Sequence, residues 1–84
     1  MAETDAGASY ETAVIMDCKY GALVLHEYQW ITEKYGDWDF KMQRVSFKED
    51  KVFDVFTIIS IGDSKVDVFF DITKPYNKRY KVRT

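Results

Sequence analysis

Between Tyr10 and Tyr35 the apolar side chains recur with the period of a helix. Tyr10, Ala13, Val14, Cys18, Gly21, Val24, Leu25, Tyr28, Ile31 and Tyr35 fall in one stripe on a 3.6-residue wheel, with Asp17 and Thr32 its only polar members. Ser9 stands where an N-cap is wanted, Glu11 suits the positive end of the helix dipole, and Gly36-Asp37 supplies a stop. Gly21 costs about 1 kcal/mol relative to alanine inside a helix, but the stripe keeps its phase across it. That favours one long helix bent at Gly21. A second reading of the first half stays open. Tyr10, Thr12, Val14, Met16 and Cys18 alternate with their neighbours as a strand does, which would make the order β-α-β-β-β.

From Asp37 the period becomes two. Trp38, Phe40 and Met42 alternate with polar neighbours, Val45 and Phe47 take the opposite phase, and the slip predicts a β-bulge near Gln43–Arg44. A polar loop, Lys48 to Lys51, leads into Val52 to Ile61, apolar at both phases as a central strand is. Gly62-Asp63 has the form of a two-residue hairpin turn, and Lys65 to Thr73 alternates cleanly until Pro75. That turn predicts the pairs Ile59–Val66, Thr57–Val68, Val55–Phe70 and Phe53–Ile72, with Met42 meeting Thr57 across the other hairpin. The expected fold is α+β: a long N-terminal helix lying across the apolar face of a three-stranded antiparallel meander.

This register leaves apolar residues over. Val45, Phe47, Val52, Phe56, Ile58 and Phe69 would occupy the outer sheet face, rimmed by Asp54, Asp67 and Asp71, as an interaction surface is. The competing reading is that the C-terminal tail, or the first segment if it is not helical, folds over that face. On the back of the helix Met16, Leu23 and Trp30 are spaced by seven and form a seam for a partner helix or a symmetric dimer. Phe56, Ile58 and Phe69 are then the anchors, and Trp30 the best single hot spot.

The 84 residues suffice for a single domain, residues 1–84, with 1–8 expected to be frayed and 76–84 a basic tail or short edge strand. Aromatic content of 17% and hydrophobic content of 46% exclude a disordered polymer. No apolar run has the roughly 18 residues of a membrane span, no basic-then-apolar leader opens the chain, and one cysteine points to a reducing, cytoplasmic setting. A net charge of −2 argues against wholesale nucleic-acid coating, yet acids crowd the start and bases the end. Lys78, Arg79, Tyr80, Lys81 and Arg83 interleave bases with rings, a pattern able to contact single-stranded nucleic acid. A third possibility is a small-ligand carrier with Tyr28, Trp38 and Phe70 lining a pocket between helix and sheet.

Catalytic parts are scarce. His26 and Cys18 lie eight apart, out of reach of each other on one helix, and no phosphate loop, calcium loop or metal-ligand spacing occurs. The expectation is a non-enzymatic protein-binding module without cofactor or metal, forming a homodimer. Nucleic-acid association is the runner-up.

Overall fold

The computed structural model describes residues 6–80. Its elements are β1 (Val14–Ile15), a 3-10 turn (Tyr20–Ala22) running into α1 (Leu23–Tyr35), β2 (Trp38–Lys48), β3 (Lys51–Ser60), β4 (Ser64–Asp71) and α2 (Thr73–Tyr80). The fold is α+β, but the sheet has four strands in the order β1-β4-β3-β2 and is mixed. β1 runs parallel to β4, whereas both hairpins are antiparallel. The long N-terminal helix and the three-stranded meander are both corrected.

The helix fails to begin at Ser9 because β4 needs its second edge closed. Unpaired backbone groups there would be stranded beside the core. Phe69 N–H donates to the Gly7 carbonyl and Met16 N–H to the Asp71 carbonyl, so Gly7 and residues 14–16 line that edge, with the residues between them looping out. The strand-like alternation of Tyr10 to Cys18 was therefore the better guide. Ala6–Ala8, expected to be frayed, include a buried Gly7 whose N–H bonds the Thr12 carbonyl. Residues 1–5 of the frayed segment lie outside the described residues. Gly36 ends α1 as expected, with φ 74° and its N–H on the Thr32 carbonyl.

Losing the first half of the helix also rotates its buried face. Leu23, Glu27 and Ile31, spaced by four, point to the sheet, while Val24, Leu25 and Tyr28 of the expected stripe are exposed. The acid in the centre of the true stripe hid it.

The β3–β4 hairpin is shifted by one residue from expectation. Its loop is Ile61-Gly62-Asp63, with Gly62 at φ 87° and Asp63 at φ 63°, and Ser60 pairs Ser64. Ile58 therefore meets Val66, and Phe56 meets Val68. Because side chains alternate, the slip exchanges the two faces of β3. Val52, Phe56 and Ile58 join Val66, Val68, Phe70, Leu23 and Ile31 in the core under α1, and Phe53, Val55 and Thr57 turn to the other face. Met42 does meet Thr57, but the bulge falls at Lys41 rather than at Gln43–Arg44.

The outer face is covered after all, by the first segment. The Tyr10 ring stands edge-on to Phe53 and to Phe69, each at 4.9 Å, and its hydroxyl lies 3.0 Å from Ser46 Oγ. Residues 76–80, expected as tail or strand, belong to α2. That helix is anchored where Asp71 Oδ1 accepts the Thr73 N–H and hydroxyl, and where Thr73 Oγ1 accepts the Val52 N–H.

Candidate functional site

Among the described residues, the eleven of β2 form the longest strand and an edge of the sheet, hydrogen-bonded on one side only. Lys48 and Lys51 close a two-residue loop and so form a hydrogen-bonded pair. By alternation, Gln43, Val45 and Phe47 direct their N–H and C=O groups away from β3. This backbone edge is open to a further strand.

α1 reaches only the start of β2, where Trp38 Nε1 donates to Thr32 Oγ1. Its Trp30 ring rests on Phe70 of β4, and its Tyr28 ring on Phe56 of β3 and Trp38. On the helix side Phe40 stays 51%, Val45 47% and Phe47 64% exposed, and on the opposite side Met42 stays 47% exposed. The result is an apolar shelf. Tyr28 of α1, edge-on to the same Phe56 ring that Phe40 meets, stands at one side, Phe40, Val45 and Phe47 form the floor, and Tyr76, which meets the Phe47 ring at 5.6 Å, the end. The strand is also charged lengthwise: Asp37 and Asp39 flank its start, and Lys41, Arg44 and Lys48 follow, all exposed.

Under α1, beside the shelf, lies a pair of acids. Asp54 is buried on β3 and its Oδ1 accepts a hydrogen bond from Gln43 Nε2 at 2.8 Å. Glu27 above it is 0% exposed, and neither of its carboxyl oxygens has a hydrogen-bond partner. Burial, reinforced by the facing Asp54, pushes the Glu27 pKa up to about 10, so the group is a neutral acid at pH 7. A sequence reading confined to stripes misses it, since an acid inside an apolar stripe reads as an interruption.

Most of the residues expected to bind partners are placed inside the fold. Phe56 and Ile58 are fully buried beneath α1, because of the one-residue shift. Met16 and Leu23 are buried in the same core and Trp30 packs against it, so the seam spaced by seven faces inward or sits off the helix altogether. Phe69 is half-buried under Tyr10. The residues that are exposed instead, Phe40, Val45 and Phe47, carried a signal in the sequence: the phase slip that marks the bulge.

The alternative sites are likewise redistributed. Lys78 and Arg79 are exposed in the last turn of α2, but the Tyr80 ring packs on Tyr76 and Tyr20, and Lys81 and Arg83 lie outside the described residues. Tyr28 and Trp38 fill their space with an edge-to-face contact at 5.2 Å, and Phe70 sits deeper, between Trp30 and Phe56. Cys18 and His26 were expected to lie apart on one helix. With Cys18 off the helix, both line a hollow of about 330 Å³ together with Asp17, Trp30 and Glu33. Among the described residues no cluster of three or more His, Cys, Asp or Glu side chains could hold a metal ion, and no helix is long and apolar enough to cross a membrane.

No family model matches the chain, and neither a curated protein nor a solved structure matches it.

Proposed function

We propose that this chain is a non-enzymatic protein–protein interaction module whose binding element is the open edge of β2 with its apolar shelf. The observation that carries the reading is an eleven-residue edge strand bearing three apolar side chains about half exposed or more on its helix side. An unprotected edge of this length is a template for strand addition, and the flanking side chains are what gives such pairing its specificity. The outer sheet face, expected to serve this role, gives it up to Tyr10.

The test is affinity capture from host extract with the wild-type chain and a Val45→Lys/Phe47→Lys variant side by side. Both positions are exposed, so the variant keeps the fold, which circular dichroism checks. Partners captured by the wild type and lost from the variant support the reading. An identical set of partners on both chains contradicts it.

A further inference from the structure

We infer that the strand added to β2 is β2 of a second copy of this chain, antiparallel about a two-fold axis at Arg44. This rests on the reading of β2 as the binding element and names its occupant. The argument begins with which residues share a face. Beyond the bulge, Gln43, Val45 and Phe47 lie on the helix side, and Met42, Arg44, Ser46 and Lys48 on the other. Before it, Trp38 and Phe40 are on the helix side and Asp39 opposite. Directly opposed residues in a sheet share a face. An axis at Arg44 satisfies that along the whole strand: Gln43 meets Val45 of the other copy, Met42 meets Ser46, and the Lys41 bulge absorbs one residue. Phe40 then meets Phe47, and Asp39 meets Lys48.

Charge complementarity within the strand favours this arrangement. The strand begins with acids and ends with a base, so antiparallel self-pairing sets Asp39 against Lys48 twice in each dimer. Moving the axis one residue, to Val45, sets Asp39 against Asp50 and Phe40 against Glu49. Moving it to Gln43 sets Asp39 against Ser46 and leaves Lys48 only Asp37, which precedes the strand. The chosen register also sets two Phe40–Phe47 ring pairs on the floor of a trough between the two α1 helices. Its one unfavourable contact is Arg44 against Arg44 at the axis, on the side away from the helices. Assembly stops at two copies, because each β2 edge is consumed and the opposite edge of the sheet, β1, is only two residues long.

The experiment uses the purified full chain. Light scattering across a concentration series is expected to show a dimer, and Asp39→Lys or Lys48→Asp to weaken it on the order of tenfold, since two cross-strand pairs become repulsive. The double exchange restores the affinity. Arg44→Ser tightens the dimer by removing the like-charge contact. In a Cys18→Ser background, Arg44→Cys cross-links two chains through a disulfide under mild oxidation, whereas Gln43→Cys and Val45→Cys do not. A monomer at every concentration overturns the inference. If that monomer still captures host partners that Val45→Lys/Phe47→Lys loses, the binding element stands and only its occupant is wrong. Cross-linking at Gln43 or Val45 in place of Arg44 overturns the register.

Discussion

Replacing Glu27 by Gln isolates the cost of the buried acid. In the unfolded chain this carboxyl titrates near 4.5, and in the fold near 10. Between those values the folded state holds a proton that the unfolded state releases, so stability falls as pH rises, by about 1.4 kcal/mol per unit. The loss starts near pH 4.5 and at pH 7 amounts to about 3 kcal/mol, a large part of the 5–15 kcal/mol typical of a domain. Glutamine has the same shape, carries no proton to lose and offers an amide donor to Asp54. Urea unfolding followed by the fluorescence of Trp30 and Trp38 at pH 5, 6, 7 and 8 gives both curves. The wild type is expected to weaken by about 4 kcal/mol across this range relative to Glu27→Gln, whose advantage grows with pH. Parallel curves for the two proteins, with a constant offset, would refute a neutral Glu27 as the source.

Other perturbations test the remaining supports. Tyr10→Ala uncovers Phe53 and Phe69 and removes two edge-to-face contacts. It is expected to cost about 2 kcal/mol in urea unfolding and to induce binding of an apolar dye. An unchanged midpoint would show that Tyr10 does not seal the outer face. Gly7→Ala places a Cβ 3.0 Å from the Trp30 ring at φ 81°, and is expected to destabilise by about 1–2 kcal/mol. Gly21→Ala meets nothing within 4 Å and needs no positive φ, so its thermal midpoint is expected to rise slightly, by the equivalent of about 0.5 kcal/mol. The opposite order of these two alanine variants would contradict the placement of the first segment.

The three antiparallel strands were legible in the sequence, along with the helix stop at Gly36 and the face shared by Val66, Val68 and Phe70, because local alternation and punctuation carry them. What was not legible depended on single residues with long-range consequences. Asp63 adopts φ 63° without being glycine, and this lengthens the loop by one residue and exchanges the faces of β3. Phe56 and Ile58 therefore moved from an imagined binding surface to the core. Val14 and Ile15 became a strand because β4, more than fifty residues later, had an edge to close, and a wheel drawn over neighbours does not register such a demand. The proposed binding element was half visible, as the slip between Phe40 and Val45. Its exposure was not, since that depends on how far α1 reaches across the sheet.

The meeting of Gly7 and Met16 with β4 has a consequence for how the protein is made. Residues 6–16 leave the ribosome more than fifty residues ahead of the backbone groups they satisfy, on Phe69 and Asp71. Until then the opening segment has no place to settle, and the β2–β3 hairpin forms with Phe53 bare. Closure is therefore a late, non-local step of the kind that slows folding. A nascent chain stalled before residue 69 would display its outer sheet face to every chaperone in reach.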